Sequence, residues 1–155
     1  MQENYRNSKV IQRPLNFKHY KYVLENCRVA DRIEMMLTGY TKNKVLEKYV
    51  EMEDGVIGSH QGIPFVASGT HVIKNEVWYW FFATPIVKDF FIKITHEANK
   101  LINKTFKKHP DKKHYVQVWS KHTDSIKWLN TLKFQQFGSY FVGNEQILLV
   151  ERKGN

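Results

Sequence analysis

The sequence predicts an α/β domain with a mixed sheet, and three stretches carry that expectation. Val77-Trp-Tyr-Trp-Phe-Phe-Ala83 is an apolar run of strand length, without alternation, as in a central strand covered on both faces. Phe90, Phe91, Ile94, Ala98, Leu101, Ile102 and Phe106 then recur at helical spacing. His114 to Ser120 reads as a second strand, and Thr123 to Leu132 as a second helix with Ile126, Leu129 and Leu132 inward. A strand-helix-strand-helix order places the two strands parallel at the centre of the sheet.

The flanks complete the architecture. Residues 1–9 are polar and aperiodic and read as a tail ahead of one domain over 10–155. Val10 to Leu15 is short and extended, with Pro14 marking an edge or a strand end. Asn16 is a plausible N-cap for a helix whose inner residues are Tyr20, Val23, Leu24 and Cys27. A second helix covers Asp31 to Leu37 with Ile33, Met36 and Leu37 on one face, and Gly39 ends it. Thr41 caps a third, with Val45, Leu46, Tyr49 and Val50 inward. Residues 55–83 read as an antiparallel meander: Val56 to His60, Ile63 to Ile73, then the aromatic run after a polar turn at 74–76. Gln135 to Phe141 and Gln146 to Arg152 form a closing hairpin about Gly143-Asn144. The result is an antiparallel N-terminal meander, a central parallel pair, and helices on both faces.

Composition narrows the function classes. At 155 residues, with 42% hydrophobic and 14% aromatic content, the chain can bury a real core. It has no apolar stretch long enough to span a membrane, and its N-terminus lacks the apolar segment of a signal peptide. One cysteine, Cys27, excludes an intrachain disulfide and suits a reducing compartment such as cytoplasm. It reads as a small buried hydrophobe. The net charge of +9 favours a polyanion partner: nucleic acid, an acidic protein surface or a phosphate-bearing cofactor. Lys104, Lys107, Lys108, Lys112 and Lys113 concentrate this charge, although the strand aromatics are not interleaved with them as in a single-strand binder. The seven histidines are scattered without paired ligand spacing, so no metal site is expected.

The block Val118-Trp-Ser-Lys-His-Thr-Asp-Ser-Ile-Lys-Trp-Leu-Asn-Thr-Leu-Lys-Phe134, within this element order, resembles the closing block of the GNAT acyltransferase fold. Gly62-Ile-Pro-Phe-Val66 before the aromatic strand, together with the 126–132 helix, is similar to a phage branch of that fold, the internal virion protein A group. The resemblance implies that the central pair splays and that acetyl-CoA would lie in the split. Its pyrophosphate would meet backbone amides at the start of the helix after residue 83, with Ile86, Val87 and Lys88 as contacts.

Against that expectation, Thr84-Pro-Ile-Val-Lys-Asp-Phe90 has no glycine, and Pro85 removes an amide donor. A structural role accounts for the same residues: Thr84 as N-cap, Pro85 as first helical residue, Asp89 complementing the dipole. The family's acid tyrosine falls on Leu129 and its Gly-Phe glycine on Lys133, with Tyr115 and Tyr140 as substitutes. Glu76 and His122 are the candidate bases, each with a bland alternative as a solvated hairpin residue or a helix cap. The leading expectation is therefore a non-catalytic docking module without cofactor, bound to phage structural proteins in a virion or host cytoplasm. An acetyl-CoA-dependent N-acyltransferase with an atypical phosphate loop is the alternative, and a basic nucleic-acid binder the third.

Overall fold

The computed structural model describes residues 9–39, 44 and 53–154. The expected third helix at 41–50 and all but the last residue of the expected tail lie outside them. Seven strands form one sheet: β1 (Val10–Pro14), β2 (Glu53–His60), β3 (Ile63–Ile73), β4 (Glu76–Ala83), β5 (Lys113–Trp119), β6 (Gln135–Val142) and β7 (Glu145–Arg152). Their spatial order is β1-β2-β3-β4-β5-β7-β6. Every neighbouring pair is antiparallel except β4 and β5.

Alternation along β4 divides its aromatics between two cores. Trp80 and Phe82 face α1 (Phe17–Glu25) and α2 (Val29–Leu37), where Tyr20 packs edge-on against both rings at 5.7 and 5.4 Å. Tyr79 and Phe81 face α3 (Phe91–Lys108) and α4 (Thr123–Thr131), where Phe81 meets Trp128 at 4.6 Å. A strand covered on both sides has no polar face, which is why 77–83 does not alternate in hydropathy.

Local chemistry sets the helix ends. Asn16 caps α1 by accepting the His19 amide at 2.9 Å. Tyr20, Val23, Leu24 and Cys27 are all buried. Burial first, then the charge of Asp31, pushes the Cys27 thiol up, so it packs as an uncharged group.

Two expectations fail. Met36 is 67% exposed, and the residue α2 buries is Asp31. The junction after β4 is not the start of an α-helix capped by Thr84. Thr84 makes no side-chain cap bond, Pro85–Phe90 is a 3-10 segment, and α3 begins at Phe91. The tighter coil turns Val87 and Phe90 into the core, which an α-helical path from Pro85 would not match.

The end of α4 explains how Lys133 stands in for a glycine. Phe134 N–H donates to Leu129 O at 2.9 Å and Lys133 N–H to Asn130 O at 3.0 Å. This is a Schellman ending, which requires a left-handed residue; Lys133 has φ +69°. Lys133→Gly should therefore raise stability by about 0.5–1 kcal/mol, the left-handed strain exceeding the entropy cost of glycine. A urea midpoint that stays still or falls would contradict this.

At the closed end of β5, His114 is 1% exposed. Its Nε2–H donates to His109 O at 3.0 Å, so Nδ1 accepts from the Tyr79 hydroxyl at 2.7 Å. Burial holds Tyr79 well above the usual tyrosine range, and burial also pushes His114 below its ordinary 6.5. A depressed histidine stabilises the fold above the unfolded value, and that stability is lost as pH falls through the native value. The urea midpoint should drop from neutral pH to about pH 5, and the drop should shrink in His114→Gln.

Candidate active site

β4 and β5 pair only through Glu76–Lys113, Val77–His114 and Trp78–Tyr115, and beyond Trp78 the strands diverge. The backbone groups that would have bonded across the gap need other partners. α2 supplies two of them. Asp31 Oδ2 accepts the Ala83 amide of β4 at 3.1 Å, and Glu34 Oε2 accepts the Trp119 amide of β5 at 2.8 Å. Arg28 N–H closes the Ala83 carbonyl at 2.8 Å. Asp31 and Glu34 are one turn apart, so α2 lies across the opened ends and holds them separate.

The same carboxylates organise a buried polar cluster. Arg28 grips Asp31 through Nε at 2.9 Å and Nη2 at 3.0 Å. Glu34 Oε2 also receives His122 Nδ1 at 3.1 Å, and His122 Nε2 meets the Ser125 hydroxyl at 2.9 Å and stands 3.8 Å from Asp31 Oδ1. A carboxylate accepts, so Nδ1 carries a proton toward Glu34, and Nε2 shares its hydrogen bond with the Ser125 hydroxyl. His122 is 4% exposed with both nitrogens engaged. Glu34, at 19% side-chain exposure, and Ser125 line a cavity of about 340 Å³ that opens at the split. That cavity also reaches Gln117 of β5 and Phe81 of β4.

The edge of β4 inside the split is unpaired. Ala83 turns its amide and carbonyl away from β3, so by alternation Phe81 turns its own the same way. No strand among the described residues pairs with Phe81 there.

The other site residues named from sequence disperse. Glu76 lies at the closed end, accepting the Trp78 indole at 2.8 Å. Seven residue steps of strand separate it from Ala83, roughly 23 Å, so Glu76 and His122 do not share a site. Ile86 and Lys88 are exposed after the open end of β4, whereas the Val87 amide is taken by Thr84 O at 3.1 Å. Leu129 is buried where the family acid would stand. The Tyr140 hydroxyl donates to the Gln117 side chain, while Tyr115 packs between Trp78 and Phe137. Of the basic residues, Lys108 pairs with Asp54 at 3.4 Å, Lys112 donates to Lys74 O at 2.6 Å, and Lys104, Lys107 and Lys113 are exposed.

Sequence reasoning missed Asp31, Glu34 and Ser125. One signal was available. The buried series Tyr20, Leu24, Cys27 continues at helical spacing into Asp31 and Glu34, which places carboxylates on an apolar stripe. Buried carboxylates require partners.

No protein-family model matches the sequence, and no curated protein matches it significantly. Solved structures do match. A GNAT-family acetyltransferase from Bacillus anthracis aligns over 94% of this chain and 95% of its own, with 14% identity and TM-score 0.64. PaiA N-acetyltransferase from Thermoplasma acidophilum, solved in complex with coenzyme A, aligns over 94% and 99%, with 13% identity and TM-score 0.68. A Salmonella typhimurium protein solved with its cofactor acetyl-CoA aligns over 93% of each chain, with 9% identity and TM-score 0.63. The fold is the GNAT-like mixed α/β fold.

The similarity to phage internal virion proteins is overturned, since the structural neighbours are described as acetyltransferases and none as a virion protein. The docking-module reading falls with it. It rested on a missing glycine loop and a missing tyrosine, and a polar cluster invisible to that test stands at the split. Among the described residues no helix is long and apolar enough to cross a membrane.

Proposed function

We propose that the chain is an acyl-CoA-dependent N-acyltransferase with an atypical phosphate site. One observation carries the reading: the sheet opens between β4 and β5, and a cavity at the opening is lined by a carboxylate that the Trp119 amide and the buried His122 hold in place. The residues fit a pantetheine arm in one respect that matters. The unpaired Phe81 edge offers an amide donor and a carbonyl acceptor to an extended amide-bearing chain, as an added strand would require.

When bound, coenzyme A supplies an activated thioester carbonyl. The chain's own residues do the rest. Ile86 and Lys88 lie where a pyrophosphate would sit, Ile86 through its backbone and Lys88 as a point charge without glycine-assisted close approach. Glu34 directs one oxygen to Trp119 N–H and His122 Nδ1–H, leaving Oε1 to receive the proton of an acceptor amine. His122 and Ser125 fix the carboxylate's orientation, and of these two Ser125 lines the cavity. Leu129, at the family's usual acid position, has no proton to give, so this chain would leave protonation of a thiolate leaving group to solvent or to the amine.

Isothermal titration with acetyl-CoA and with CoA tests the reading. Micromolar binding that weakens in Lys88→Glu is expected. No heat at millimolar ligand would end it.

A further inference from the structure

The cavity at the split continues beneath α3, and that part has a composition of its own. Ile94, Ala98, Leu101 and Ile102 line it from the helix, and Val66 and Phe81 from the sheet. These are hydrocarbon or aromatic surfaces; the charged residues of the same lining, Glu97 and Asp54, are paired with Lys100 and Lys108, each at 3.4 Å, and Ser68 and Thr105 add hydroxyls. Protein interiors close-pack and leave few voids larger than a water molecule, yet the whole space measures about 340 Å³. That is the size of a small-ligand site, about 300–1,000 Å³.

Small residues keep it open. Ala98 occupies the middle of the helix face, where its neighbours on the stripe are isoleucine and leucine. Ser68 stands on the sheet opposite. A space walled mainly by apolar side chains and joined to the split has room for a hydrocarbon chain. An acetyl group would leave most of it empty.

We propose that this space receives the hydrocarbon tail of a medium-chain fatty acyl donor, the thioester carbonyl remaining in the split. The inference rests on the acyltransferase reading for the handle that carries the tail, and on the cavity alone for the tail itself. No bond is made or broken in the cavity, which acts by burying methylenes and so selects chain length. Each methylene removed from water is worth about fourfold in affinity. Six more methylenes on the acyl chain should bring at least about a hundredfold gain, since ordering the chain offsets part of the burial.

Titration calorimetry of the intact protein with CoA, acetyl-CoA, butyryl-CoA, octanoyl-CoA and free decanoate decides the matter. Affinity should climb from acetyl to octanoyl, and decanoate should bind weakly by itself. Ala98→Phe, which fills the space, should bring the octanoyl-to-acetyl affinity ratio close to one and abolish decanoate binding. Ala98→Leu should give an intermediate ratio, and it serves if the phenylalanine variant does not fold. Equal affinities along the series would overturn the tail site while leaving the acyltransferase reading standing. Decanoate binding that Ala98→Phe abolishes, with no CoA species bound, would support the cavity and sink the acyltransferase reading. If neither CoA nor decanoate binds, both are wrong.

Discussion

Asp31→Ala is expected to lower the unfolding free energy by about 3 kcal/mol. The Asp31 side chain is 2% exposed, it binds Arg28 with both oxygens, and it accepts the Ala83 amide. Alanine leaves a guanidinium and a backbone donor without their acceptor in a place where water replaces it poorly. The expected loss sits at the lower end for a broken buried pair, because the Arg28 side chain retains 22% exposure. Asp31→Asn should fall between, keeping an acceptor for Ala83 while surrendering the ion pair. Urea melts of the three proteins measure the series. A loss below about 1 kcal/mol for the alanine variant would mean that α2 does not hold the open end of β4. The same melts followed by tryptophan fluorescence would report on four tryptophans together, among them Trp119, whose amide is the other anchor of α2.

How legible this was differs between the sheet and the site, for a physical reason. The strands and long helices were readable because burial imposes a period, and a period survives in a single sequence. The aromatic run at 77–83, most of the stripe through α3 and the hairpin about Gly143 stand where periodicity and turn chemistry put them, although Phe91, expected on that stripe, is 48% exposed. Periodicity assigns faces by hydropathy, and α2 defeats that logic. Its buried position is Asp31 and one of its apolar candidates, Met36, faces water, because the helix packs on backbone amides at a gap in the sheet. Which strands splay, and where, depends on a register that no local pattern encodes. The junction at 84–90 failed similarly: Thr84 and Pro85 have the right chemistry for a helix start, but tertiary burial of Val87 and Phe90 selects the tighter coil. Lys133 shows the reverse case, a residue wrong for its conformation that neighbouring hydrogen bonds hold there.

Glu34→Gln should cut kcat for acyl transfer by about a hundredfold or more while leaving the affinity for the donor within a few-fold. The substitution is nearly isosteric, so its side-chain oxygen can still accept from Trp119 N–H and His122 Nδ1–H, and α2 should stay docked. What disappears is the capacity to take a proton at Oε1, which a neutral amide lacks. That separates the base from its supports. His122→Gln should lose less, because it disturbs only the orientation of Glu34, and Ser125→Ala less again, because the hydroxyl touches the histidine and not the carboxylate. The pH–rate profile gives the sharper reading. A base must be deprotonated to work, so wild-type turnover should fall toward acid, and Glu34→Gln should lose that limb and run flat at its low rate. If the variant instead turned over at the wild-type rate with the same acid limb, the proton would be leaving by another route. Glu34 would then serve the fold alone, as the acceptor that replaces a missing strand.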